Sequence, residues 1–353
     1  MIKLAPIMLE LDARGVQYYF IDSGQHSVTT STLRKTFGIR EPDSTLYSGK
    51  DISSVFNALT WATKLLFKAI LKRDDLVKNL FPRKGLCIVH GDTLSTLIGT
   101  LLARLARINV VHIESGLRSW KYLDPFPEEI IRIIVMRLAS VLIPPSDEAY
   151  LNLAKMKTTG DIIKIDGNTV YDAIMIPSLP PPGIHIPQKG YILATCHRLE
   201  TITSRKRLNQ VIQLIERISE KYNVIFVVHK STNHQMKKHK IKIERTDRVT
   251  IVEQLDYLYF SYLLKASEGV IADGGSIQEE CAHLAKPCLI IRNATERKDG
   301  IGETAILWKF NPNNEQKFIS LLASQKTSDT ARNLDSPSKK IAETLVTLSS
   351  HYR

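Results

Sequence analysis

Two neighbouring segments constrain this chain most. Residues 89–100 read VHGDTLSTLIGT and residues 111–120 read VHIESGLRSW. In each, an apolar run ends in a polar loop that carries a carboxylate, Asp92 in the first and Glu114 in the second. The stretch after Asp92, TLSTLIGTLLARLAR, has helical spacing. Strand, loop and helix repeated in this order predict a parallel, doubly wound α/β sheet. In an open sheet of this kind ligands bind beyond the carboxyl ends of the strands. Asp92 and Glu114 are therefore expected to face one crevice. Residues 269–280, GVIADGGSIQEE, repeat the arrangement with Asp273 at the strand end. Strand-end carboxylates of this kind point to an enzyme acting on a small polar ligand.

The alternation continues along the chain. A helix is predicted over 3–14, a strand over 16–21, and a long amphipathic helix over 51–72. Pro127 and two glutamates open the helix PEEIIRIIVMRLAS, as suits a helix N-terminus. Residues 176–188, IPSLPPPGIHIPQ, carry five prolines and cannot continue a helix or a central strand. They mark a domain boundary, giving a first domain over 1–176 and a second over 177–335. Residues 326–340 are polar and read as a loop, and a last helix over 336–353 is expected to return to the first domain.

Composition narrows the function. The chain of 353 residues carries a formal charge of +12 and is 43% hydrophobic, enough for about two cored domains. The positive balance is either a basic surface or a field that attracts an anionic ligand such as a nucleotide sugar. Nucleic acid is disfavoured, because no basic run is interleaved with stacking aromatics. No apolar run is long enough for a membrane span, and the first residues do not read as a signal peptide. Cys87, Cys196, Cys281 and Cys288 form no C-x-x-C pair and read as core residues in a reducing cytoplasm.

Each candidate has a plainer explanation. Asp92 opens a helix and could be its cap. Glu114, beside Gly116 and Arg118, has no capping role to fill. Glu128 and Arg132 are four apart, so an ion pair along the helix competes with a role for one glutamate, Glu128 or Glu129, as base with Arg132 holding its charge. His197 and Arg198 follow a strand and would suit a diphosphate, or merely cap a loop. The glycines of ADGGSIQEE precede a helix whose N–H groups could bind phosphate, with Glu280 placed for ribose hydroxyls. A P-loop and a G-x-G-x-x-G run are absent, so ATP hydrolysis and nicotinamide chemistry are unsupported. His229, His234 and His239 are spaced by five among lysines, which reads as a solvated basic loop rather than a metal site.

Taken in order, IKLAP, SGQH, HGDTLST, HIESGLRS, PFPEEIIR, GNTVYDAI, CHRLET, LDYLYFSYLL, DGGSIQEE and RNATERKDG resemble the UDP-N-acetylglucosamine 2-epimerase family, most closely its non-hydrolysing branch. The resemblance spans residues 2 to about 309. It implies a GT-B fold of two Rossmann-like domains with the active site in the cleft between them, usually as a homodimer. It implies interconversion of UDP-GlcNAc and UDP-ManNAc with neither metal nor other cofactor. Carried over by position, Asp92, Glu114 and Glu128 match catalytic carboxylates, Arg132 the arginine of the same helix, and His197 the histidine near the diphosphate. Lys3, Arg198, Gly275, Ser276, Glu280 and Arg297 match substrate-binding positions. A hydrolysing epimerase, a GT-B glycosyltransferase and an impaired UDP-sugar binder are the alternatives.

The chain departs from the family pattern at its start. The first strand and its GTRPE loop do not precede IKLAP, so two strands are expected to lack a ladder partner. DGGS stands for DSGG, HK for HP at His229 and Lys230, and Ile131 for an asparagine.

Overall fold

Strands buried on both faces read as near-continuous apolar runs, and that is how the sheets of this protein are built. The computed structural model describes residues 1–353 apart from 50–51, 53–54, 72–78, 82–84, 123–125, 189, 245–246, 296, 325–334 and 353. The chain divides into two compact units, Met1–Ala173 with Leu334–Arg353, and Ile174–Asn333.

In the first unit β3 (Leu86–His90), β4 (Asn109–Ile113), β5 (Val141–Ile143) and β6 (Asp161–Ile162) form a parallel sheet in that order. The register sets Leu86 against Asn109 and Val111 against Val141. Successive side chains take opposite faces. Val111, Ile113, Val141 and Ile143 pack with Ile7 and Leu11 of α1 (Ala5–Ala13) and with Ile341 and Leu345 of α14 (Pro337–His351). Val110 and Leu142 face the other way. They meet Ala103 of α4 (Leu94–Leu105), Ile131 and Val135 of α5 (Glu128–Leu138), and Leu153 of α6 (Asp147–Met156). The final helix of the chain is thus part of the first unit.

A separate parallel pair, β1 (Ile21–Asp22) and β2 (Ser44–Thr45), lies in the same unit. The strand predicted over 16–21 is shorter than its apolar pattern, because only its end finds a ladder partner. Among the described residues β3 is the edge of its sheet and β1 pairs with β2 alone. The unit also holds α2 (Ser27–Thr36) and α3 (Val55–Leu71), the latter within the predicted 51–72. α7 (Val170–Met175) ends this part of the chain. Residues 326–334 of the expected polar loop lie outside the described residues, and 337–340 belong to α14.

The second unit has one six-stranded parallel sheet in the order β12 (Ala305–Leu307), β11 (Cys288–Ile290), β10 (Gly269–Ala272), β7 (Ile192–Cys196), β8 (Val224–Val228), β9 (Val249–Glu253). The winding reverses between β7 and β10, which makes their carboxyl ends the topological switch point where ligands collect in such sheets. The helices are α8 (Leu199–Ile202), α9 (Arg205–Ser219), α10 (Lys230–His239), α11 (Tyr257–Ala266), α12 (Gly275–His283) and α13 (Pro312–Ser324).

α10 corrects the expectation of a basic loop over this segment. Its lysines face solvent, but Thr232 is buried and donates to the Cys196 carbonyl, and Met236, one turn on, packs against the core. That spacing is the apolar face of a helix hidden in a polar sequence. Among the described residues no helix is long and apolar enough to cross a membrane.

Candidate active site

The first unit places its carboxylates at the ends of β3 and β4. Gly91, at φ +70°, turns the chain out of β3, and its N–H donates to the Ile113 carbonyl at 3.0 Å. The cap of α4 is Thr93, whose hydroxyl accepts the Thr96 N–H. Asp92 is therefore not the cap. Its carboxylate is left for Arg132, whose Nη2 lies 2.5 Å from Oδ2.

Arg132 reaches it from α5, and not by the expected pairing with Glu128. Its other nitrogen, Nη1, donates to Glu129 at 3.3 Å. Glu129 has no exposed surface. It also accepts from Arg118 Nε at 2.6 Å and from the Ser119 N–H at 3.1 Å. Burial alone would push its carboxyl up, but Arg118, the Ser119 N–H and Arg132 outweigh it and hold the group below the ordinary carboxylate range. One buried anion thus fixes two arginines. Glu128, its neighbour, has a buried Oε2 with no hydrogen-bond partner among the described residues.

Glu114 follows β4 in the left-handed region, at φ +62°. A glutamate held there costs on the order of 1–3 kcal/mol and persists where surrounding contacts over-determine it. The contacts are present. Oε1 accepts from Lys3 Nζ and, at 2.6 Å, from Asn168 Nδ2. Oε2 lies 3.6 Å from His90 Nδ1. Burial pushes His90 down to about 3 and His112 down to about 4, so both are neutral at neutral pH. His112 Nε2 donates to the Gly91 carbonyl at 2.8 Å. Glu114, Asp92 and Arg132 all act electrostatically on His112, which ties them into one cluster.

Gly116 is required here. It sits at φ +86°, and a Cβ would come within 2.2 Å of the Ala149 carbonyl oxygen. Gly116→Ala is expected to cost more than about 1 kcal/mol, measured as a lower midpoint in urea unfolding.

In the second unit β7 and β10 end side by side. Asp273, fully buried after β10, accepts the backbone N–H of His197 and of Arg198, each at 2.9 Å to Oδ2. This third strand-end carboxylate is an anchor that fixes the loop after β7. The His197 ring stacks on His229 at 4.5 Å between centroids. A Cβ on Gly274 would meet the His197 ring at 3.4 Å, so the ring lies over the start of α12. Among the described residues no side chain caps α12, and the N–H groups of Gly275 and Ser276 lie in its first turn. The helix dipole and these donors suit a phosphate beside His197. Glu280 is buried on the same helix and accepts from the Tyr257 hydroxyl at 3.0 Å. Arg297 Nη1 donates to Glu279 at 2.7 Å, and Arg198 Nη1 lies 3.9 Å from Glu200. Among the described residues no three His, Cys, Asp or Glu side chains are grouped to hold a metal ion.

The first unit therefore joins Lys3, Asp92, Glu114 and Arg132 in one cluster, with Glu128 on the helix that supplies Arg132. The second brings His197, Arg198, Gly275 and Ser276 to one switch point. The model of the UDP-N-acetylglucosamine 2-epimerase family matches residues 9–340. The chain belongs to this family.

Its relatives extend the match. The UDP-N-acetylglucosamine 2-epimerase of Bacillus subtilis is 30% identical over 312 residues, which cover 85% of this chain and 78% of that protein. The structure of the Methanocaldococcus jannaschii UDP-GlcNAc 2-epimerase in complex with UDP-GlcNAc and UDP superposes with a TM-score of 0.79 at 25% identity, covering 98% of this chain and 96% of that one. The Neisseria meningitidis enzyme bound to UDP-GlcNAc gives 0.77 at 25% identity, over 98% and 96%. The fold is the GT-B fold of these epimerases.

Sequence reasoning passed over Asn168 and His90 as site residues, and it gave Asp273 as a strand-end carboxylate without its role as the anchor of the loop after β7. Asn168 lies 54 positions from Glu114, and nothing local in its loop signals the contact.

Proposed function

We propose that the protein interconverts UDP-N-acetylglucosamine and UDP-N-acetylmannosamine by inversion at C2. The observation that carries this reading is the cluster of Asp92, Glu114 and Arg132, with Glu128 beside it, in a chain that matches the epimerase family over residues 9–340. The hydrogen on C2 is not adjacent to a carbonyl, so direct deprotonation is costly. Elimination of UDP removes the difficulty: the C2–H electrons form a C1=C2 bond as the C1–O bond breaks, giving a 2-acetamidoglucal and UDP. Re-addition of UDP with a proton delivered to the other face gives the epimer. The route needs acid and base groups on both faces of the ring, which is the role of Asp92, Glu114 and Glu128. Arg132 and Lys3 orient that cluster. His197, Arg198 and the first turn of α12 stabilise the departing diphosphate, and Glu280 and Arg297 serve the nucleoside. Four free cysteines, three of them buried, suit a reducing cytoplasm.

The test is incubation with UDP-N-acetylglucosamine in D₂O, followed at C2 by NMR. Deuterium at C2 together with UDP-N-acetylmannosamine is the expected result. Free N-acetylmannosamine would instead indicate the hydrolysing reaction, and product formed only with an added acceptor would indicate a transferase.

A further inference from the structure

The turn that carries Asp92 is tied down at three points, and one of them is a side chain the function above does not use. Thr96 Oγ1 donates to the His90 carbonyl at 2.7 Å, and the Gly91 N–H donates to the Ile113 carbonyl at 3.0 Å. The third tie is the His112 ring, whose Nε2 lies 2.8 Å from the Gly91 carbonyl oxygen. A carbonyl oxygen only accepts, so Nε2 carries the proton. His112 is 1% exposed, and strand alternation puts it on the same face of β4 as the apolar Val110. Burial holds the ring down at about 4, so it is neutral near pH 7. Its Nδ1 has no hydrogen-bond partner among the described residues. Burying an imidazole costs free energy unless it is hydrogen-bonded, and the bond to Gly91 is what offsets that cost.

The place of this bond gives it a consequence for Asp92. The Gly91 carbonyl belongs to the peptide unit that ends at the Asp92 Cα, and a peptide unit is planar. Holding its oxygen therefore fixes where the Asp92 side chain starts. Gly91, at φ +70°, would otherwise let that plane turn, since glycine takes either sign of φ with similar ease. At the far end of the side chain, Arg132 Nη2 meets the carboxylate at 2.5 Å. The backbone of Asp92 is thus set from β4 and its carboxylate from α5.

We propose that His112 is a positioning residue for Asp92: through the Gly91 carbonyl it sets the peptide plane from which the Asp92 carboxylate is presented to the sugar. The inference deepens the function proposed above and rests on it. His112 touches no reacting atom in this scheme and acts only through the backbone.

The test is a set of variants at position 112, alone and combined with Asp92→Asn. His112→Leu keeps a side chain of similar bulk and removes the donor. It is expected to lower kcat about tenfold or more, the scale of a slightly misplaced catalytic group, with the affinity for UDP within about twofold. His112→Gln carries an N–H at nearly the reach of Nε2 and should restore kcat to within about threefold of the wild type. In the Asp92→Asn background, His112→Leu should cost no more than about twofold further, because both changes act on one group. A residue that merely supported the fold would lower kcat by the same factor in both backgrounds. His112→Asn, whose donor is one carbon shorter, serves with the same expectations if the leucine variant does not fold. In the unaltered protein, ¹⁵N spectra of the His112 ring should show the proton on Nε2 and a bare Nδ1 near pH 7. A proton on Nδ1, wild-type kcat in His112→Leu, its full loss repeated in the Asp92→Asn background, or no recovery with glutamine overturns this proposal and leaves the epimerase function standing. A wild-type protein that epimerises no UDP-sugar overturns the function beneath it as well.

Discussion

Epimerase turnover is expected to fall at least about 10²-fold in each of Asp92→Asn, Glu114→Gln and Glu128→Gln, the usual scale for a lost acid–base group. Each change keeps the side-chain shape and removes the proton-exchanging group. The loss should appear in kcat, with binding of UDP alone unchanged within about twofold, because the groups that would hold the diphosphate lie on β7 and α12. Calorimetric titration with UDP beside a steady-state assay separates the two quantities. The three are not equivalent in setting. Asp92 is paired with Arg132, Glu114 is held by Lys3 and Asn168, and Glu128 has a buried oxygen with no hydrogen-bond partner among the described residues. Wild-type rates in all three variants would refute the assignment of the site.

The largest effect on stability is expected at Glu129. Its side chain has no exposed surface, and Arg118 and Arg132 are 5% and 12% exposed. Removing one member of a buried ion pair strands the others without compensation, at a cost of about 3–5 kcal/mol. Glu129→Ala should therefore lower the unfolding free energy of the protein by that amount in urea, with an unchanged m-value. The pH dependence has a definite sign. The folded-state pKa of Glu129 is depressed, so its contribution is fully present above the ordinary carboxylate range. It is lost as pH falls through the depressed value. The wild type should lose stability in that acid window, and Glu129→Ala should lose less of what remains. A variant within about 1 kcal/mol of the wild type would mean that the two arginines find other partners. Turnover should fall as well, because Arg132 would lose one of the two anions that fix it against Asp92.

How much of this was legible in the sequence depends on the range of the interaction. The strands over 86–90, 109–113, 192–196 and 224–228 and the helices between them follow from local hydrophobic spacing. The doubly wound class follows from their alternation. The residues that end the strands could be named because a βα loop must leave the sheet where its strand stops. Where a local rule was misapplied, competing neighbours explain it. Thr93 rather than Asp92 caps α4, since either residue type can do so and only the backbone path decides. The segment 230–239 is a helix because Thr232 and Met236 find a core to face, and the sequence does not announce that core.

Which side chains meet was decided by tertiary structure alone. Arg132 turns from Glu128, four residues away and an allowed helical partner, to Asp92 on another element and to Glu129. Lys3 and Glu114 are 111 positions apart and Asn168 and Glu114 are 54 apart, yet all three share one oxygen. Periodicity carries information over a few turns of chain, whereas the packing of β3 against β4, and of α1 and α5 beside them, fixes distances between residues that no local pattern links. The chain by itself fixed the parts and the loops where chemistry could sit, and the packed sheet chose the partners that give each carboxylate its own surroundings.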